Sequence, residues 1–393
     1  MRMRDKPTIL IVHSRYRQRG GEDTAAENEI RLLRMHGHRV LLYERENPGV
    51  FFPHSLYFNI KVFLDIRKII KKERIDIVHV HNTWMAVSRS VYYAALGMGV
   101  PVVQTLHNFR LICPAAILYR DGEICEDCIR YGLKAGVRKR CYRGSFVYTL
   151  ACALDSAVHQ RTGILRKVNF ICLSEFNKEK MLRINDRGAK RIDPGKVFVK
   201  PNFIWEHPEE AVIRDGKQRD GFIFAGRLTE EKGVRILLKA WELLGDEAPR
   251  LKIYGKGDLA GWCRKEIDGK RLNATLMGEA EHHTLLEAMG RAEAFIFPSV
   301  WYEGFPMTVI ESLSLGTPVI AGGSGNGRQL IEEGRNGLLY KSGSAKGLAR
   351  AVRLIRDKDM VFDHKPAIPG VCTPEGNYGI LEDIYKKVLS NTI

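Results

Sequence analysis

The sequence predicts an α/β protein built of two Rossmann-like, doubly wound domains, and three observations carry that prediction. Short β-branched or apolar runs alternate along the chain with longer stretches of helical period, which is the pattern of βαβ units and parallel sheets. At 393 residues the chain exceeds one core at about 100 to 200 residues per domain. A charged, proline-bearing stretch, KPNFIWEHPEEAVIRDGKQRDG at 200–221, separates two such series.

Taken in order, the N-terminal domain (1–200) has expected strands at TILIVHS (8–14), HRVLLYE (38–44), IDIVHVH (75–81), PVVQTLH (101–107) and NFICLSE (169–175). Helices are expected near 22–36, 55–73, 87–98 and 146–161, with a cysteine-containing insertion over 108–145. In the C-terminal domain (201–374) the strands are GFIFAGR (221–227), RLKIYGK (250–256), ATLMG (274–278), AFIFPS (294–299), PVIAGG (318–323) and GLLY (337–340). Helices there fall near 232–244, 281–291, 307–315, 326–333 and 344–356. A terminal helix within 375–393 follows a Pro/Gly-rich stretch and can pack back on the N-terminal domain. Ligands of open parallel sheets sit beyond the carboxyl ends of the strands, so the two domains are expected to face a central cleft.

Composition narrows the class. Hydrophobic residues make up 45% and charged residues 27%, as in a folded soluble chain. No apolar run reaches the roughly 20 residues that span a bilayer, and MRMRDKPTILIVHS lacks a small-residue cleavage site, so a cytoplasmic protein is expected. The net charge of +16 is one-sided: residues 1–200 hold 36 Lys+Arg against 19 Asp+Glu, leaving 26 against 27 for the rest. A basic first half suits an anionic membrane face or a phosphorylated substrate. No zinc-finger, homeodomain or RNP signature accompanies it, so no nucleic-acid partner is expected.

The densest signal is EGFPMTVIE (303–311), which spans a strand-to-helix turn and most of a helix. Pro306 suits a first helical position and Gly316 a C-terminal cap. The helix start offers free N–H groups and partial positive charge to a phosphate. Glu303 and Glu311 would repel that phosphate, but each carboxylate can accept hydrogen bonds from paired hydroxyls. A ligand with phosphate in the middle and diols at both ends is a nucleotide sugar. In FAGRLTEEKG (224–233), Arg227 and Lys232 stand at another strand-to-helix turn and could neutralise a diphosphate.

These motifs resemble those of the retaining glycosyltransferases of family 4, which have the GT-B fold, over nearly the whole chain. GRLTEEKG is similar to the family's diphosphate motif, and EGFPMTVIESLSLGTPVIAGG to its Glu-x7-Glu signature. The resemblance implies that Glu311 holds the ribose, Glu303 the transferred sugar, and Arg227 with Lys232 the diphosphate. Gly304, Phe305, Pro306 and Met307 would line the donor. It also implies weaker positions in the first half. Gly20 and Gly21 lie in a loop like the family's Gly-Gly-x-Glu loop near donor phosphate and acceptor, although Glu22 here follows directly. His107 ends a strand where the family carries a histidine near the transferred sugar; His79 and His81 read as structural. Asn108, Ser174 and Asn202 are acceptor-side candidates, the last in a Pro-Asn-Gly-like segment with Phe203 in place of Gly. His107, Arg227, Lys232 and Glu303 are thus the expected catalytic set. No nucleophile stands out on the β face, so retention would proceed by front-face attack, and no Asp-x-Asp metal motif calls for a divalent ion.

The activity so implied is transfer of a sugar from a nucleoside-diphosphate sugar to a hydroxyl of a lipid-linked or oligosaccharide acceptor in cell-surface glycan assembly, polysaccharide or lipopolysaccharide, at the cytoplasmic membrane face. Other readings stay open. IYGKGDLA (253–260) fits Gly-x-Gly-x-x-Ala, with Gly255, Gly257 and the later Glu279 able to serve a nicotinamide-dependent oxidoreductase; in the resembled family the same turn lies near the nucleotide base. A GT-B epimerase and a non-catalytic sugar-binding protein share the architecture. Cys113, Cys125, Cys128 and Cys141 could supply four thiolates to a structural zinc or stay as reduced thiols.

Overall fold

The computed structural model describes residues 6–16, 20–47, 57–186, 188, 190–205, 219–323, 325–362, 364, 366 and 368–391. They form two compact units: 1–118, 125–203 and 370–393 in the first, 119–124 and 204–369 in the second. Most of the expected link, residues 206–218, lies outside the described residues.

The first unit runs β1 (Ile9–Arg15), α1 (Gly21–Met35), β2 (Val40–Glu46), α2 (Ile60–Glu73), β3 (Ile77–Val80), α3 (Ser90–Leu96) and β4 (Val102–Leu106). The insertion follows, with a two-stranded antiparallel ribbon, β5 (Tyr119–Arg120) and β6 (Glu123–Ile124), that clusters with the second unit. Then come α4 (Asp127–Tyr131), α5 (Lys134–Arg138), α6 (Phe146–Arg161), β7 (Asn169–Cys172), α7 (Glu175–Leu182) and β8 (Val197–Val199). The sheet is parallel, in the order β2-β1-β3-β4-β7-β8, so the strand order reverses between β1 and β3. Alternation on α1 explains its docking: Asp23, Ala25, Ala26, Glu29, Ile30, Leu32 and Leu33 are buried, a stripe at helical spacing that includes two acidic residues.

The second unit holds β9 (Phe222–Ala225), α8 (Val234–Leu244), β10 (Leu251–Tyr254), α9 (Ala260–Lys270), β11 (Ala274–Gly278), α10 (His282–Gly290), β12 (Ala294–Phe297), α11 (Met307–Ser314), β13 (Val319–Gly322), α12 (Gly325–Gln329), β14 (Gly337–Tyr340) and α13 (Ala345–Arg356). Its sheet order is β11-β10-β9-β12-β13-β14, with the reversal between β9 and β12. Both faces are covered. Phe222 and Phe224 enter one core with Trp241, Leu251 and Ile253, while Ile223 and Ala225 enter the other with Phe295, Val309 and Leu313. Such two-sided burial is why these strands read as continuous apolar runs.

Helix α14 (Pro374–Ser390) closes the chain and packs in the first unit. Thr373 caps it by accepting from the Gly376 N–H at 3.2 Å, and Pro374 opens it without losing a hydrogen bond. Its buried residues, Asn377, Tyr378, Leu381, Ile384, Tyr385 and Val388, recur every three or four positions. Among the described residues no helix is long and apolar enough to cross a membrane.

The Gly-x-Gly turn after β10 has a packing role visible in the backbone. A Cβ on Gly255 (φ 129°) would stand 1.9 Å from the Gly226 carbonyl oxygen, and one on Gly257 would stand 2.4 Å from that of Leu228. The close approach allows the Gly226 N–H to donate to the Tyr254 carbonyl at 3.1 Å and the Leu228 N–H to that of Lys256 at 2.9 Å. Two glycines of one loop thus seat Arg227 in the next. Gly255→Ala is expected to lower unfolding free energy by about 2–3 kcal/mol through clash and an unfavourable φ. Urea denaturation measures it, and a loss below about 0.5 kcal/mol would contradict the packing role.

Candidate functional site

In the second unit, two loops meet where the strand order reverses, the place at which open α/β sheets hold ligands. The first leaves β9 at Ala225, two residues before the sequence-expected strand end, because Gly226–Leu228 turn to pair with the stretch beyond β10. It continues through a 3₁₀ turn, Glu230–Lys232, into α8. The second leaves β12 and runs from Pro298 to Pro306 before α11. They are tied together by backbone and side chains: the Val300 N–H donates to the Glu231 carbonyl at 3.0 Å, and the Lys232 ammonium donates to Glu303 Oε1 at 2.7 Å.

Glu303 is buried, at 7% exposure. Its Oε1 also accepts from the Ser299 hydroxyl at 2.7 Å, and its backbone carbonyl, like that of Gly304, accepts from the Asn326 amide at 2.6 and 2.7 Å. Burial by itself would raise the carboxyl; the Lys232 charge and these donors outweigh it and hold Glu303 below the usual carboxylate range. It is therefore an ionised acceptor at neutral pH. The sequence reading put Lys232 on a diphosphate and Glu303 on a sugar as separate tasks, whereas here they form one pair. Ser299 and Asn326 were not found from the sequence.

Pro306 sits one place earlier than expected, capping α11 with φ −80° and ψ 93°. Among the described residues no side chain caps that helix start, so no side-chain oxygen competes with an anion for the N–H groups that open it. Gly304, Phe305 and Met307 are partly exposed around it. Glu311, one turn further along, is 8% exposed, and its Oε1 lies 3.0 Å from His282 Nε2 at the start of α10; sequence reasoning missed that histidine. Arg227 is more open, with 61% of its side chain exposed and Nη2 3.2 Å from Glu231 Oε1.

The first unit has its own reversal, between β1 and β3. Gly20 caps α1 and Gly21 begins it; among the described residues an added Cβ at either would meet nothing within 4 Å. Asp23 shapes this loop, accepting from the Gly20 N–H at 2.9 Å and from His13 Nε2 at 2.8 Å. Burial and the adjacent Asp23 push the Glu22 carboxyl up to about 8. His107 is not isolated: its Nε2 lies 3.1 Å from His81 Nδ1. Of the acceptor-side candidates, Asn108 accepts from the Arg110 N–H at 3.1 Å and Ser174 caps α7 by accepting from the Asn177 N–H at 3.0 Å. Both side chains thus serve their own turns. Asn202 is buried.

The four-cysteine cage is not assembled. Cys113 and Cys128 are hydrogen-bonded to each other, which lowers the Cys113 thiol and raises that of Cys128, and Cys141 lies near enough to raise Cys128 further. Among the described residues, the one trio of His, Cys, Asp or Glu with donor atoms mutually within 4.8 Å is Glu29, His79 and His81. All eight cysteines are free thiols.

Two parallel, doubly wound Rossmann-like units in one chain define the class of protein. Comparison with known proteins gives the family. The Glycosyltransferase Family 4 model matches residues 19–123 and the Glycosyl transferases group 1 model residues 206–363. A glycosyltransferase of Methanocaldococcus jannaschii, itself uncharacterised, is 30% identical over 297 residues, 73% of this chain and 68% of that one. The UDP-Gal:α-D-GlcNAc-diphosphoundecaprenol α-1,3-galactosyltransferase of Escherichia coli is 24% identical over 341 residues, 80% and 77% of the two chains. Anabaena HepE, solved in complex with UDP, aligns over 98% of this chain and 100% of its own with a TM-score of 0.64 at 15% identity. The chain belongs to the family 4 glycosyltransferases of the GT-B fold.

The Lys232–Glu303 pair predicts a change of sign in pH dependence. In the native protein the depressed carboxyl contributes stability above its unfolded value near 4.5 and loses it as pH falls through the lower folded value. Lys232→Met leaves the carboxylate buried beside no cation from that position, at a cost of about 3 kcal/mol at pH 7. Its carboxyl then rises on folding, so the variant should regain stability between pH 7 and 5 while wild type does not. Parallel urea midpoints for the two proteins across that range would refute the pairing.

Proposed function

We propose that this glycosyltransferase moves a hexose, with retention, from a nucleoside-diphosphate sugar to a hydroxyl of a lipid-linked or oligosaccharide acceptor in cell-surface glycan assembly. The observation that carries the reading is the buried, ionised Glu303 beside Lys232, directly before the uncapped start of α11, with buried Glu311 one helix turn on. Carboxylates at both ends suit the hydroxyls of the transferred sugar and of the ribose. Helix amides, Arg227 and Lys232 between them suit the diphosphate. Stabilising the leaving diphosphate is then the main catalytic effect, worth on the order of 3–4 kcal/mol per well-placed donor. Front-face departure and attack, with the leaving phosphate taking the acceptor proton, would need no divalent ion.

The relatives support this substrate class. The E. coli enzyme is named for a UDP-sugar donor and a diphosphoundecaprenol-linked acceptor, and HepE was solved with UDP. We assign donor binding to the second unit and the acceptor to the basic first unit, at the cytoplasmic membrane face.

Melting temperatures measured with UDP-, GDP- and ADP-sugars test the donor site. One donor should stabilise wild type by about 2.7 kcal/mol at a hundredfold excess over Kd. Arg227→Ala and Glu303→Ala should each weaken it about tenfold or more. If no donor stabilises wild type, the reading fails; if both variants bind and turn over as wild type does, the site is wrongly assigned.

A membrane face is supported by α6, whose outer side exposes Phe146, Val147, Leu154 and Val158 beside exposed Arg138, Lys139, Arg140 and Arg143. Phe58, Ile60 and Leu64 are exposed on and before α2, and Tyr57 donates to the Ala151 carbonyl of α6 at 3.3 Å. An apolar stripe with basic flanks suits an anionic bilayer surface. Co-sedimentation should be strong with phosphatidylglycerol vesicles and weak with phosphatidylcholine. Leu154→Asp with Val158→Asp should reduce it several-fold, and equal binding of that variant would remove the assignment.

A further inference from the structure

Beneath the reversal point of the first unit lies a continuous buried polar chain that ends at His107. Glu29, on the inward stripe of α1, is 2% exposed. Its Oε2 pairs with the Lys200 ammonium at 2.8 Å. Its Oε1 lies 2.9 Å from His79 Nδ1 and 3.2 Å from His81 Nε2. His81 Nδ1 in turn lies 3.1 Å from His107 Nε2, and the two rings stack with centroids 5.4 Å apart. Helix α14 supports the far end: Asn377 Oδ1 accepts from Lys200 at 3.0 Å, and the Tyr385 hydroxyl is 2.7 Å from His79 Nδ1. His79 Nε2 faces the Thr105 hydroxyl at 2.9 Å. His107 opens on a small cavity also lined by His81, Asn82, Trp84, Gln104 and Arg110.

The trio Glu29, His79 and His81 has the donor atoms of a metal site, but Lys200 already supplies a cation to the carboxylate. The arrangement therefore works as a hydrogen-bond chain, and its polarity can be followed atom by atom. Glu29 is ionised: burial opposes this, but the Lys200 charge and the hydrogen bond from His79 outweigh burial and hold the carboxyl well below the usual range. An ionised carboxylate only accepts, so His81 must carry its proton on Nε2. Burial keeps His81 neutral, with its pKa lowered to about 4, so its Nδ1 is an acceptor. His107 must then donate from Nε2, and burial keeps it neutral as well. Its Nδ1 is left as an acceptor.

We propose that Glu29 and His81 are positioning residues that fix His107 as its Nε2–H tautomer, so that His107 Nδ1 accepts a hydrogen bond from a hydroxyl of the reacting sugar or acceptor. The identity of that hydroxyl rests on the glycosyltransfer reading; the tautomer does not. Lys200 and Asn377 set the direction of the chain by holding Glu29 with one oxygen toward the ammonium. Exchange of that carboxylate for an amide would reverse it. In Glu29→Gln the amide oxygen stays with Lys200 and the NH₂ faces His81, so His81 accepts at Nε2, carries its proton on Nδ1 and donates to His107 Nε2. His107 then becomes Nδ1–H.

Nitrogen-15 histidine spectra at pH 7, with His107 identified by its loss in His107→Asn, test this directly. Wild type should show His107 as Nε2–H, and Glu29→Gln as Nδ1–H. Glu29→Gln with Lys200→Met, which frees the amide to turn back, should restore Nε2–H. In transfer assays Glu29→Gln should lose about tenfold or more in kcat, the effect of presenting a donor where an acceptor is needed, with donor KM within about twofold. The double variant should recover it. A wild-type His107 found as Nδ1–H or as imidazolium overturns the proposal, and this reading survives even if the single variant does not fold. An unchanged tautomer in folded Glu29→Gln, or an inverted tautomer with unchanged kcat, also overturns it. Loss of all transfer activity in wild type would instead strike the functional reading, leaving the spectra to judge the hydrogen-bond chain.

Discussion

A carboxylate taken out of water needs a cation and donors within reach, because its desolvation penalty is several kcal/mol. Each unit meets this need with one lysine: Lys200 for Glu29 and Lys232 for Glu303. Much of the local architecture follows. In the second unit the pair joins the loop after β9 to the loop after β12, fixing the turn that carries Arg227 against the turn that precedes α11. In the first unit it joins α1 to the segment after β8, and through Asn377 to α14. Neither lysine could be exchanged for a neutral residue without leaving a buried charge, so both positions are constrained before any ligand arrives.

The same loops show how backbone and side chains divide the work. One buried carboxylate, Glu303, stands before α11 and another, Glu311, one turn into it, and the helix-start amides lie between them. Placing a carboxylate at the helix start itself would have filled those amides with an internal cap. Pro306 there supplies no side-chain oxygen, and so the donors stay available. The glycines after β10 contribute at one remove, since their missing side chains make room for the Gly226–Leu228 backbone.

Strands and helices with clear period were legible in the sequence: α6 spans 146–161 as the pattern indicates, and β11 and β14 match to the residue. What escaped had weak local signal. Helix α9 buries only Cys263 and Ile267 and contains two glycines, so its period is faint. Strand β8 has three residues, too few to alternate. The Glu-x7-Glu segment stood out because its spacing is local, but the pairing of Lys232 with Glu303 spans 71 positions and follows from sheet order alone. The Val-His-Val-His run was read as structural, and its two histidines are buried against Glu29 on the inward stripe of α1, a partner 50 or so positions away that spacing along the chain does not reveal. The zinc reading failed for a related reason: cysteine spacing says which thiols are near in sequence, while the fold pairs Cys113 with Cys128 across α4 and its approach.

Helix α14 has a consequence for how the protein is made. Chains emerge from the ribosome N-terminus first, and domains usually fold as they appear. Here the first unit lacks Asn377 and Tyr385, which sit against Lys200 and His79, until the whole second unit has been synthesised. The nascent first unit must therefore wait with an incomplete polar interior while some 170 further residues follow. Its sheet can form early, but its histidine chain is sealed only once α14 has been made.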